Sequence, residues 1–136
     1  MATALYDKGR EAFLGGLIAW DTDDVRVVFT DAADYTVDLA NHDFLDDVAA
    51  GARVAVSAAS LANKTKTAGV ADADDHTINT VSGDQFEAII IYKHTGADAT
   101  ARLIAYIDNY TGLPCTPNGG NITVSWPGDS NKIFKL

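Results

Sequence analysis

The chain is poor in the residues from which chemical centres and membrane spans are built. It holds one cysteine, Cys115, in 136 residues, which excludes an internal disulfide and a cysteine-built zinc site. Neither a histidine nor a basic residue flanks Cys115 to lower its pKa, so it reads as a structural thiol. No apolar stretch approaches the roughly 20 residues that cross a bilayer. The opening MATALYDKGREAFLGG carries acids and no long apolar segment, unlike a secretory signal, so synthesis into the cytoplasm and no membrane partner are expected. Basic charge is also scarce. Ten Lys and Arg stand against 19 Asp and Glu, a net charge of −9. Phosphate neutralisation needs clustered basic residues, and Lys64 with Lys66 is the nearest thing to a cluster, so no nucleic-acid partner is expected. An acidic surface keeps a protein soluble and suits docking onto a basic patch.

Catalytic patterns are missing as well. Ser57, Ser60, Ser82, Ser125 and Ser130 all lie outside any Gly-x-Ser-x-Gly elbow. His42, His76 and His94 fall in turn-like or strand-end contexts. Glu87 is the one acid placed between apolar neighbours, and a strand edge accounts for it. The glycine pairs Gly15–Gly16 and Gly119–Gly120 are turn pairs and not phosphate loops. Asp21, Asp23 and Asp24 lack the glycine and distal glutamate of a calcium loop. Asp72, Asp74, Asp75 and His76 can be drawn as a metal site, but their spacing matches no fixed geometry. No catalytic residue, cofactor or metal site is assigned, and no enzymatic activity is expected.

What is present is β-forming. Hydrophobic residues make up 47% of the chain, enough for one globular core, and a single domain spanning 1–136 is expected. The stretch from Phe86 to Asp108 holds two apolar runs, Ala88–Tyr92 and Leu103–Ile107, joined by a polar segment, which predicts a central hairpin with two buried faces. In it, Leu103, Ala105 and Ile107 are expected to share a face. Further strands are read at Val25–Thr30, Tyr35–Leu39, Arg53–Ala59, Thr77–Val81, Ile122–Trp126 and Lys132–Leu136, with an exposed lysine-bearing edge at 64–67. Asn41 caps a helical turn over 42–48.

Ahead of these strands, apolar residues at Leu5, Tyr6, Gly9, Ala12 and Phe13 recur at helical spacing, predicting a helix or arm over 4–14 capped by Thr3 and ended by Gly15–Gly16. The expected fold is mainly β: an antiparallel β-sandwich, jelly-roll-like or immunoglobulin-like, with a short N-terminal helix.

Several strings along the chain carry a resemblance. YDKGREAFLGG, IAWDTDDVRVVFTDAADYTVDLANHDFLDDV, GARVAVS, SGDQFEAIIIYKHTG, RLIAYID, TGLPCTPNGG and WPGDSNKIFKL together resemble small virion structural proteins of tailed bacteriophages, from about residue 5 to 136. The resemblance implies a capsid decoration (cement) protein, made in the host bacterial cytoplasm and found on the virion surface. Such a protein binds the outer shell, bridges major capsid subunits and commonly acts as a homotrimer. Three stretches are the expected partner contacts: the helix (Tyr6, Arg10, Phe13), the edge 64–67 (Lys64, Lys66) and the turn opened by Leu113. Two alternatives share the composition. One is a tail, neck or baseplate structural protein. The other is a carbohydrate-binding adhesion module using Trp20, Tyr110 or Trp126 as stacking platforms.

Overall fold

The computed structural model describes residues 4–136, so the expected cap residue Thr3 lies outside the described residues. The chain forms a mainly β fold of antiparallel sheets with one α-helix. In order the elements are β1 (Ala4–Leu5), α1 (Asp7–Leu14), β2 (Val25–Thr30), β3 (Arg53–Val56), β4 (Val70–Ala71), β5 (His76–Ile78), β6 (Ala88–Lys93), β7 (Leu103–Ile107), β8 (Ile122–Val124) and β9 (Phe134–Lys135). Short 3₁₀ turns occur at Leu45–Asp47, Ala50–Ala52, Thr67–Gly69 and Asp98–Thr100. Five strands make the main sheet in the order β1-β7-β6-β2-β3, and β4-β9 and β5-β8 form two separate ribbons.

The expected hairpin, β6 and β7, is the middle of this sheet. Every residue of β7 and the first five of β6 are buried, because alternate side chains leave opposite faces and both faces are covered. On one face Val25, Val27, Phe29, Ile89, Ile91 and Ile107 meet α1, the ribbons and both tryptophans. On the other, Val28, Ile90, Tyr92, Leu103 and Tyr106 meet the irregular segment 31–52 through Tyr35, Leu45, Val48 and Ala52. The layer over the first face is therefore two ribbons and a helix. Leu103 departs from the expected alternation. The register slips between Ile91 and Tyr92, so Ile104 joins Ala105 and Ile107 on the ribbon face while Leu103 crosses to the other. A bulge of this kind leaves no trace in a period-two pattern.

The N-terminal segment differs from a continuous helix. Ala4 and Leu5 pair with Tyr106 and Ala105 of β7, and Tyr6 is extended (φ −68°, ψ 136°). In extended chain, successive residues point to opposite faces, so Leu5 enters the ribbon-side core and Tyr6 the other. The helix proper begins at Asp7, whose carboxylate sits in the first turn, where the helix dipole favours negative charge. Its end is as expected. Leu17 N–H donates to Ala12 O at 2.8 Å and Gly16 N–H to Phe13 O at 3.2 Å, with Gly16 at φ +74°, the left-handed position that glycine fills without strain. Gly9 lets α1 lie directly on β7, since a Cβ there would stand 2.7 Å from Leu103 O.

Two other expectations are corrected. Tyr35–Leu39 forms no strand. Asp38 turns the chain by accepting from the amides of Ala40 (3.2 Å) and Asn41 (3.1 Å), and Leu39 O accepts from Asp7 N at 2.8 Å. The predicted turn over 42–48 shortens to the 3₁₀ turn at Leu45–Asp47. Arg53 holds this region from below: its guanidinium donates to Val48 O (2.9 Å), Leu45 O (2.8 Å) and Asp98 Oδ2 (2.7 Å). The strand at 53 is polar at its first position for that reason.

A candidate docking groove

The helix end, the acidic turn after it, the segment 66–71 and β9 converge on one apolar groove. Phe13, Ile18, Trp20, Ala71, Phe134 and Leu136 line it, and its volume is ≈ 220 Å³. The Phe134 ring anchors the wall, meeting Trp20 edge-on at 5.2 Å and Phe13 at 6.0 Å. At the mouth, Lys66 Nζ pairs with Asp21 Oδ2 at 2.9 Å, and this contact holds the Asp21 carboxyl below its ordinary range. Leu136 in the groove lining is 59% exposed, and Leu14 and Leu17 are 91% and 62% exposed. Leu14 and Leu17 are the chain neighbours of the groove residues Phe13 and Ile18, on either side of the glycine turn.

Of the expected contacts, the structure brings Phe13 and Lys66 together at this groove. Tyr6 is a correction. It is fully buried because it belongs to extended chain, and its hydroxyl is hydrogen-bonded to Tyr35 at 2.9 Å. Lys64 is half-buried and donates to Ser60 Oγ (3.0 Å) and Leu61 O (3.1 Å), so it ties down its own loop. Arg10 is exposed and paired with Asp7 at 2.9 Å. Leu113 lies apart. It lines a second cleft of ≈ 370 Å³ floored by Phe29 and Phe86, whose rings stack at 4.4 Å and 4°. That cleft has no charged lining residue to orient a ligand, and its polar hydroxyls at Tyr110 and Thr123 already bond Ser125 N and Thr77.

Leu14, Leu17, Phe134 and Leu136 were not among the expected contacts. A signal for Leu14 was present. It lies three, four and seven positions after Glu11, Arg10 and Asp7, on the charged face of α1, where a leucine has no core to meet.

Of the expected stacking platforms, Tyr110 is half-buried and lines the second cleft, while the two tryptophans are closed off. Trp20 and Trp126 are buried, and their indole N–H groups donate to Asp72 O (3.2 Å) and Asp74 O (3.1 Å). The acidic segment 72–75 is used residue by residue: Asp72 pairs with Lys132 (3.1 Å), Asp74 accepts from Asn63 (2.6 Å) and Asp75 from Trp126 N (3.1 Å). Asp23 and Asp24 likewise pair with Lys93 and Arg26.

Among the described residues, the closest approach to a nucleophile–base pair is Ser57 with His76, Oγ to Nε2 at 2.6 Å. Ser57 is buried and its Oγ also lies 2.6 Å from Ala59 O. A carbonyl can only accept, so the hydroxyl proton goes to Ala59. His76 Nε2–H must then donate to Ser57, the reverse of general-base geometry. Burial lowers the His76 pKa. The pair fastens β5 to the segment after β3.

A third polar cluster joins the N-terminal segment to the far face of the sheet. Tyr35 Oη lies 2.9 Å from Tyr6 Oη and 2.8 Å from His42 Nδ1, and Asp38 N–H points at the same Nδ1 at 3.3 Å. Burial raises the Tyr6 phenol far above its ordinary pKa and pushes Tyr35 up to about 12, so both keep their protons at neutral pH.

No protein-family model matches this chain, and comparison with curated proteins finds no match either.

Proposed function

We propose that the chain is a virion structural protein of a tailed bacteriophage, a capsid decoration protein that docks on the outer shell through the Phe13–Leu136 groove and braces neighbouring major capsid subunits. The observation that carries the reading is a groove walled by Phe13, Trp20, Phe134 and the exposed Leu136, with exposed Leu14 and Leu17 next in the chain to its residues Phe13 and Ile18. A volume of ≈ 220 Å³ is below the 300–1,000 Å³ of common small-molecule sites and suits a single apolar side chain from a protein partner. Covering a leucine fully contributes about 1.5–3 kcal/mol. A few such contacts give weak binding per copy, which multivalent attachment to a repeating shell turns into firm binding. The net charge of −9 points to a partner surface with basic residues around that side chain. The phage assignment rests on the resemblance of the strings quoted above, and the homotrimer belongs to the same proposal. The role is binding, with no catalytic step.

The test is co-sedimentation of purified protein with tailless, DNA-filled heads. Wild-type protein is expected to saturate the heads, and Leu14→Glu combined with Leu17→Glu to bind at least about tenfold more weakly with an unchanged melting temperature. Equal binding by the double variant removes the groove from the interface. No binding by wild-type protein removes the capsid reading.

A further inference from the structure

The Tyr6–Tyr35–His42 cluster is not part of the groove, and its hydrogen bonds have a direction that the geometry determines. A backbone amide can only donate, so the contact of Asp38 N with His42 Nδ1 (3.3 Å) requires a lone pair on Nδ1 and places the imidazole proton on Nε2. Tyr35 then donates its hydroxyl proton to Nδ1 across 2.8 Å. Having spent that proton, it accepts from Tyr6 across 2.9 Å. Each donor and acceptor is matched only in this one direction.

We propose that His42 is the acid-sensitive end of a latch that holds the N-terminal segment, β1 and the start of α1, against the sheet. A proton added at Nδ1 makes His42 a donor to Tyr35. Tyr35 must then donate to Tyr6, and the Tyr6 hydroxyl proton loses its acceptor, since Tyr35 is the hydrogen-bond partner of that hydroxyl among the described residues. The Asp38 amide simultaneously faces a second donor. An unmatched buried donor is costly, and the segment relieves it by lifting Tyr6 out of its site. The backbone bonds released with it are Tyr6 N–H to Ile104 O (3.0 Å) and Asp7 N–H to Leu39 O (2.8 Å).

The charged and titratable groups around the ring do not remove the conflict. Tyr35 packs on it at 5.3 Å and Tyr106 lies behind Tyr35 at 6.2 Å. The Asp38 carboxylate and the imidazole are electrostatically coupled, and Asp47 acts on both Tyr6 and Tyr35. Neither carboxylate is hydrogen-bonded to the Tyr6 hydroxyl, whose partner is Tyr35. His76, in contrast, donates through Nε2–H in either charge state and has no such reversal.

The test is amide hydrogen exchange at Tyr6 and Asp7, corrected for the intrinsic pH dependence of exchange, at pH 7.5 and 5.5. Wild-type protein is expected to lose about tenfold in protection at the lower pH, the equivalent of one buried hydrogen bond. His42→Asn, whose amide oxygen accepts at both pH values, is expected to lose none. Equal loss in both proteins, or no loss in wild type, overturns the latch. Nitrogen NMR of the wild-type ring gives a check that needs no variant. A proton on Nε2 at pH 7.5 supports the latch, and a proton on Nδ1 overturns it.

Discussion

Substituting Gly9 with alanine sets two effects of opposite sign against each other. In an exposed helix interior, Gly→Ala stabilises by about 1 kcal/mol. In this chain the new Cβ would stand 2.7 Å from Leu103 O and 3.2 Å from both Ile104 Cα and Ile104 O, where ordinary contact runs from 3.4 to 4 Å. All three neighbours are backbone atoms of β7, which is fixed by pairing to β6 and β1 and cannot rotate aside as a side chain could. The helix has to lift instead. Overpacking of this kind costs about 1–3 kcal/mol, and the cost exceeds the helical gain because the lift also uncovers Ala12 and Phe13. A net loss of about 1–2 kcal/mol corresponds to a fall in Tm of roughly 3–10 °C for a domain of this size. The assay is thermal denaturation followed by circular dichroism, with Gly51→Ala as control, since nothing lies within 4 Å of a Cβ at Gly51. The control is expected to melt at or above the wild-type temperature. A Gly9→Ala protein that melts as high as wild type refutes the close approach of α1 to β7. Because α1 also positions Phe13 and Leu14, Gly9→Ala is expected to weaken docking as well.

Two further substitutions test the framework. Arg53→Lys keeps the charge but loses the fork that reaches Val48 O, Leu45 O and Asp98 together; a loss of about 1–3 kcal/mol in urea denaturation is expected, and a change under 0.5 kcal/mol contradicts the clamp. His76 has a folded-state pKa below the ordinary value of about 6.5 because it is buried. Below pH 6.5 the unfolded chain therefore takes up a proton that the folded chain resists, and stability falls with pH in that window while it is unaffected above it. His76→Gln, which keeps an N–H for Ser57, is expected to show a shallower fall between pH 7 and 5 in pH-dependent urea titrations, and an identical slope would contradict the assignment.

The parts of this fold that were legible in the sequence are those whose pattern is local. Ala88–Lys93 and Leu103–Ile107 are apolar on both faces, and a strand of that composition has to lie between two covered surfaces. Gly15–Gly16 likewise marked the end of α1 by backbone chemistry alone. The failures come from tertiary context. Leu5 and Tyr6 fit a helical spacing with Gly9 and Ala12, but pairing to β7 outweighed that periodicity and sent the two side chains to opposite cores. YTVDL alternates as a strand should, yet Asp38 captures the local amides and turns the chain before any partner strand is met. The groove was half visible: Phe13 and Lys66 were expected contacts on separate elements, and only the fold shows that they line the same groove. Leu136 and Phe134 had no local feature to single them out, because β9 is only two residues long, Phe134–Lys135, and Leu136 follows it.

The central claim is that this chain is a shell-binding protein of a phage particle, and its copy number and position in the virion test that claim most directly. Density maps of the assembled particle, with quantitation of tailless heads, are expected to show it on the outer capsid surface in numbers comparable to the major capsid protein, with the Phe13–Leu136 groove against a capsid subunit. A handful of copies per particle, or density confined to the tail or neck, would contradict it.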